Sequence, residues 1–235
     1  MIAGSTLRVA HLGVVDYDAS LKLQTALAAA RIADEIGDTL LLLEHGNVFT
    51  LGRGADERFI VAKPAEIPIY RVSRGGEVTY HGPGQLVGYP ILKLDGRARD
   101  VSKYLRALEQ TMIDALASFG VEATRREGLT GVWIGQRKIG SIGVGIKRWV
   151  TYHGFALNVS TDLRFFDSIV PCGIDGCEMT SLAKLGHPEV SIDAFSLAMR
   201  ESFRRVFAYD SITVTSADEI WNSIDSGREL TEAQR

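Results

Sequence analysis

The chain has 235 residues, with 26 basic and 29 acidic side chains, a net charge of −3 and a pI near 6.0. That length admits one large domain or two small ones, and 46% hydrophobic against 23% charged residues excludes wholesale disorder. The slight acidity leaves no electrostatic footprint for general nucleic-acid binding, and no apolar run approaches the ~18–20 residues of a membrane span.

Residues 6–13 read as a short strand, followed by an Ala/Leu-rich helix over 19–36 with Leu23, Leu27, Ala30 and Ala33 on one face. Strand-like pieces follow at 39–44, 48–51, 68–73 and 86–92. A second amphipathic helix fits 101–119, where Leu105, Leu108, Met112, Leu116 and Phe119 recur at helical spacing. Residues 130–134 and 137–146 flank Gly135-Gln136, which suits a two-residue type II′ hairpin and sets Lys138 opposite Trp133. Over 149–159, Trp149, Thr151, His153, Phe155, Leu157 and Val159 alternate onto one face. A last helix spans about 191–208 on Phe195, Met199, Phe203 and Val206. These elements, without strict βαβ alternation, predict an α+β fold: a single domain with a mixed, largely antiparallel sheet flanked by helices. Residues 1–215 are expected to form that domain, and 216–235 a polar tail or short helix.

The N-terminus lacks a basic region followed by an apolar core, so no secretory signal is expected. Two cysteines make no disulfide framework, and a cytoplasmic protein with free thiols is the expectation. No phosphate-cradling GxxxxGK[ST], GxGxxG, HExxH or GxSxG motif occurs, and no Cys/His group has zinc-ligand spacing, so neither metal nor nucleotide cofactor is expected. Glycine is unevenly placed: five lie between Arg74 and Pro90, and six from Gly128 to Gly145. Such clusters mark turns, bulges or close approach of backbone to a ligand.

The densest segment, RGGEVTYHGPGQLVGYP at 74–90, offers a double glycine, several polar donors and a Gly-Pro-Gly turn. Read by itself, it is either a ligand-binding loop or a polar hairpin loop that satisfies its own backbone. This stretch closely resembles the signature of the octanoyl-acyl-carrier-protein:protein N-octanoyltransferases of lipoate biosynthesis. Further blocks agree in family order: Glu44-His45 with Val48 to Arg53, the lysine-bearing Gly135 to Gly143, His153 to Asn158, and the nucleophile turn Pro171-Cys172-Gly173-Ile174. One departure is Gly46-Asn47, where many members carry prolines.

The resemblance implies the fold of the biotin/lipoate protein ligase catalytic domain. It also implies transfer of an octanoyl group from acyl carrier protein to a lysine amine on lipoyl domains of 2-oxo acid dehydrogenase E2 subunits and on the glycine-cleavage H protein. The implied nucleophile is Cys172, passing through an acyl-thioester, with Lys138 as its catalytic partner. A thiol is a weak nucleophile at its ordinary pKa of ~8.5, and a nearby ammonium lowers that value. Cys177 stands between Asp175 and Glu178, carboxylates that disfavour a thiolate, and is expected to be a bystander. The acyl and pantetheine site is expected along Arg74, Gly75, Gly76, Glu77, Val78, Thr79, Tyr80 and His81. Ser141-Ile142-Gly143 and Gly154-Phe155-Ala156 would complete the wall, their small residues leaving a slot for an eight-carbon chain. His81 either positions a substrate group or holds the loop together. An ATP-dependent lipoate or biotin-type ligase shares the implied fold but needs no cysteine after Pro171. A non-catalytic acyl-carrier binding protein has no use for both Lys138 and Cys172.

Overall fold

The computed structural model describes residues 5–62, 66–174 and 176–222, apart from the side chains of Arg97 and Cys172. Its elements in chain order begin with β1 (Thr6–Val14), α1 (Tyr17–Ile32), β2 (Thr39–Glu44) and β3 (Val48–Leu51). They continue with β4 (Ile69–Arg71), β5 (Val78–His81), β6 (Gln85–Ile91) and α2 (Val101–Ala117). The hairpin strands β7 (Thr124–Arg126), β8 (Leu129–Ile134), β9 (Arg137–Lys147) and β10 (Val150–Asn158) follow. Helix α3 (Ile192–Val206) and β11 (Ser211–Thr215) come next, and residues 217–222 are helical.

Eight strands form one sheet in the order β11-β1-β2-β6-β10-β9-β8-β7. β1 pairs in parallel with both β2 and β11, and every other pairing in it is antiparallel. The mixed α+β sheet expected from the sequence is therefore present. A smaller sheet, β4-β3-β5, packs beside it around Phe49, Leu51, Val78 and Tyr80.

The central strand β2 is buried on both faces, which explains its unbroken leucine run. Leu40 and Leu42 join Leu108, Met112, Phe195, Met199 and Phe203 under α2 and α3, while Leu41 and Leu43 meet Leu23 and Leu27 of α1. Each helix begins at a side-chain cap: Asp16 accepts from Ala19 N, Asp100 from Lys103 N and Ser191 from Ala194 N. Helix α1 consequently starts earlier than the 19–36 expectation, and it ends at Ile32, with Asp34 beyond it in left-handed backbone at φ +61°. Ala33, expected on the buried face, is exposed past the helix end.

The hairpin between β8 and β9 follows the expected register. Gly135 takes φ +58°, Ile134 pairs with Arg137, and Trp133 pairs with Lys138. Two expectations are corrected. The stretch up to His81, read as loop, contains the fully buried strand β5, whose Thr-Tyr-His composition was masked by the glycines on either side. In β10 the alternation breaks at His153, which has φ +53°. Phe155 and Leu157 point under α2 and α3, but the His153 ring lies against Tyr89 and Tyr152, and the His153 backbone N–H donates to Gln24 Oε1 of α1.

Ile220 is fully buried against the α1 side of the sheet; residues 223–235 of the expected tail lie outside the described residues. Among the described residues no helix is long and apolar enough to cross a membrane.

Candidate active site

A cavity of about 250 Å³ opens between the large sheet and the signature segment that follows Arg74. Its floor is β9 and β10, where Ser141 pairs with Ala156, Ile142 with Phe155 and Gly143 with Gly154. Of the fourteen expected binding residues, twelve line it: Arg74, Gly76, Glu77, Val78, Thr79, His81, Ser141, Ile142, Gly143, Gly154, Phe155 and Ala156. Gly75 and Tyr80 do not. Gly75 donates its N–H to Val144 O at 2.9 Å and ties the loop to β9. Tyr80 turns the other way because strand side chains alternate: its ring packs on Phe49, Phe165 and Phe166, and its hydroxyl donates to Asn47 at 2.8 Å. That bond also fixes the loop at which Gly46-Asn47 depart from the family pattern.

The small residues make room chiefly for the protein itself. A Cβ on Gly143 would lie 2.8 Å from Arg74 Cδ, and one on Gly154 only 2.1 Å from Gly88 O. Arg74 is buried, its guanidinium donating to Thr50 O, Thr50 Oγ1 and Gly75 O at 2.7, 2.8 and 2.9 Å. It thus clamps the signature loop onto β3. The apolar wall left for a ligand comes from Ile142, Phe155 and Ala156, joined by Leu129 and Ile174, while the Val78 side chain packs on the Tyr80 side of β5.

Lys138 also lines the cavity, only 1% exposed. Its Nζ donates to Thr130 O at 3.0 Å and lies 5.3 Å from the Trp133 ring centroid. The backbone around it explains how residues far apart in sequence converge. Lys138 N donates to Glu178 O, and Thr180 N donates to Lys138 O, so segment 178–180 runs parallel beside the start of β9. This anchors the preceding turn, Pro171–Gly173, at the cavity edge. Ile174 lines the cavity, and a Cβ on Gly173 would come within 2.9 Å of Glu77 Cγ. Cys172 occupies the middle of that turn; its side chain lies outside the described residues. Cys177 faces a second groove on the far side of the turn, lined also by Ile174, Glu178 and Lys184.

Tyr17, Tyr89, Leu129, Thr130, His153 and Ile174 line the cavity without having been singled out as binding residues. Tyr17 arrives from the first turn of α1, where nothing in the sequence marks it. Tyr89 was visible within the signature. These rings belong to a buried cluster with His45 and His81. His45 donates from Nδ1 to Val15 O at 2.7 Å and accepts from the Tyr89 hydroxyl at 2.8 Å. Gln85 donates its amide to Tyr80 O and to Asn158 Oδ1, so its oxygen accepts from His81 Nδ1 at 2.7 Å. Asn158 in turn donates to Thr180 O at 3.0 Å, linking His81 to the segment that flanks Lys138. Burial dominates the electrostatics here. It pushes His81 down to about 3, and His45 and His153 to about 4 each, so all three imidazoles are neutral near pH 7. With its Nδ1 proton given to Gln85, His81 keeps Nε2 as the unprotonated nitrogen.

Residues 16–204 match the lipoyl protein ligase A/B catalytic domain family. The octanoyltransferase of Solibacter usitatus is 50% identical over 207 residues, covering 86% of this chain and 93% of that protein. The octanoyltransferase of Gloeobacter violaceus is 52% identical over 196 residues, covering 83% and 87%. Among solved structures, the bi-partite lipoate protein ligase of Thermoplasma acidophilum superposes with a TM-score of 0.71 at 18% identity, over 97% of this chain and 92% of that one. At that identity the likeness shows the fold, and the half-identical relatives show the family. By sequence, the chain belongs to the octanoyltransferases of the lipoyl protein ligase A/B catalytic-domain family.

Proposed function

We propose that this acyltransferase moves its octanoyl group in two steps through a thioester on Cys172, with Lys138 handling the proton in both. In the first, the Cys172 thiolate attacks the thioester carbonyl of octanoyl-acyl carrier protein. The bond to the carrier sulfur breaks, and the departing pantetheine thiolate takes a proton from the Lys138 ammonium. In the second, the amine of a lysine on a lipoyl-carrier domain attacks the enzyme thioester. Lys138, now a neutral amine, accepts its proton, and Cys172 leaves as the thiolate. Exchange of thioester for thioester is nearly isoenergetic and thioester to amide is downhill, so the sequence needs no ATP and no other cofactor.

The observation that carries this reading is the setting of Lys138. A buried lysine at a cavity wall, held by a carbonyl at 3.0 Å, shares its backbone ladder with the segment leading from the cysteine turn. A lysine kept only for solubility has no reason to be buried. The octanoyl chain is placed against the apolar wall of Ile142, Phe155 and Ala156, where each buried CH₂ is worth ~0.8 kcal/mol. Arg74, Gly75, Gly76 and Glu77 shape the entrance and Thr79 and His81 its interior; Tyr80 supports β5 from behind.

Intact-mass measurement after incubation with octanoyl-acyl carrier protein tests the intermediate. A hydroxylamine-labile octanoyl adduct is expected on the wild-type chain, lost in Cys172→Ser and retained in Cys177→Ser. An adduct that survives Cys172→Ser overturns the assignment. Lys138→Ala is expected to slow transfer to a lipoyl domain by on the order of 10²–10⁴-fold with the fold intact. Unchanged turnover removes the lysine from the mechanism.

A further inference from the structure

Thr130 and Gly131 share one peptide group, and both of its polar atoms are engaged. Its carbonyl oxygen accepts from Lys138 Nζ at 3.0 Å, and its N–H donates to Glu109 Oε1 of α2, also at 3.0 Å. We propose that Glu109 is a positioning residue for Lys138, acting through this peptide. The proposal rests on the catalytic use of Lys138 set out above.

The peptide is planar and trans, so fixing the direction of its N–H fixes the direction of its C=O. Glu109 is itself held rigidly. Its side chain is 1% exposed, and Oε2 accepts from Arg106 at 2.7 Å and from Arg125 Nε at 3.0 Å. Two guanidiniums already answer the carboxylate charge, so what reaches Lys138 is orientation rather than charge. Gly131 completes the arrangement from the other side. It adopts φ +129°, and a Cβ there would lie 2.6 Å from Lys138 Cε and 3.1 Å from Nζ. The lysine stem therefore lies in space that any other residue would fill, while the carbonyl aligned by Glu109 holds its head. Without the carboxylate, the buried Gly131 N–H loses its acceptor and the peptide must turn to find another, carrying the Thr130 carbonyl away from Nζ.

The competing account is that Glu109 merely clamps α2 to β7 and β8. Three variants separate the two, each made in the Cys177→Ser background. The readouts are the pH midpoint of Cys172 alkylation by iodoacetamide, kcat and KM for octanoyl-acyl carrier protein, and the thermal midpoint. Glu109→Ala is expected to raise the alkylation midpoint, because a displaced ammonium stabilises the thiolate less. It should lower kcat about tenfold with KM within about twofold. Glu109→Gln keeps one amide oxygen on the buried Gly131 N–H while the half-exposed guanidiniums turn to water, so its midpoint should stay at wild type. Gly131→Ala, whose Cβ would meet Gly140 O and Lys138 Cε at 2.6 Å each, should reproduce Glu109→Ala by displacing the stem. Glu109→Asp, whose shorter side chain draws the carboxylate back from the Gly131 N–H, replaces Glu109→Ala if that chain does not fold.

Folded Glu109→Ala and Gly131→Ala chains with a wild-type midpoint and kcat overturn the proposal. So does a Glu109→Gln chain as impaired as Glu109→Ala, which would make the effect one of charge. A midpoint that Lys138→Ala raises but Glu109→Ala leaves at wild type counts against Glu109, whereas one that Lys138→Ala also leaves in place counts against the use of Lys138 itself. A wild-type chain that forms no octanoyl adduct on Cys172 counts against the acyl-enzyme itself.

Discussion

His45, His81 and His153 sit around Tyr17 and Tyr89, the first two rings hydrogen-bonded to neutral partners, and burial holds all three well below the ordinary histidine value of 6.5. The unfolded chain therefore binds protons that the folded chain refuses. The sign follows: the stability contributed by these groups is complete above 6.5 and is lost as pH falls toward the folded values of about 3 to 4. Urea unfolding should show a midpoint that drops between roughly pH 7 and pH 5, above the range where most carboxylates titrate, and His81→Gln should flatten that slope. A midpoint that stays level across the interval would show that the cluster is not neutral in the native state. At this same scale, the signature supplied residue types but not directions. Tyr80 and His81 are neighbours in one conspicuous motif, yet strand alternation sends one to the cavity and the other into the aromatic packing of Phe165 and Phe166.

Among the elements, the β8–β9 hairpin matters most because its register sets Lys138 opposite Trp133, two residues from the turn. Gly135 holds φ +58°, a conformation that β-branched side chains resist. Gly135→Val is expected to lower unfolding stability by about 1–2 kcal/mol, measured by urea titration, with turnover per folded molecule kept. No loss of stability would mean that the turn does not depend on that backbone geometry. This hairpin was legible in sequence because its signal is local: glycine at the first turn position, flanked by strand-forming residues. Strand β5 was not legible, because its four residues pair with β3, thirty positions upstream, and carry no periodic pattern of their own. The His153 break was equally hidden, since a single φ value overrides an otherwise regular alternation.

For the whole molecule, α1 covers one face of the large sheet and α2 with α3 the other, so an apolar core lies on each face. The core under α1 extends past the family match. Ile220, in the helical residues 217–222, is fully buried against the α1 layer. A chain ended at Thr215 is expected to be less stable than one ended at Asn222 by about 1.5–3 kcal/mol, the burial of one isoleucine, as read from urea midpoints. Equal stabilities would show that this helix adds nothing to the core. The sequence by itself determined the α+β class, the helices and most strands, and the family, because periodicity, caps, turn chemistry and contiguous motifs are all local properties. Only the tertiary structure decided which way Tyr80, His81 and His153 point, that Arg74 fills the space over Gly143, and that Glu109 reaches Lys138 through one peptide. Each of those depends on strands or helices that meet only after folding, and a contact across such distances in the chain has no local pattern from which to be read.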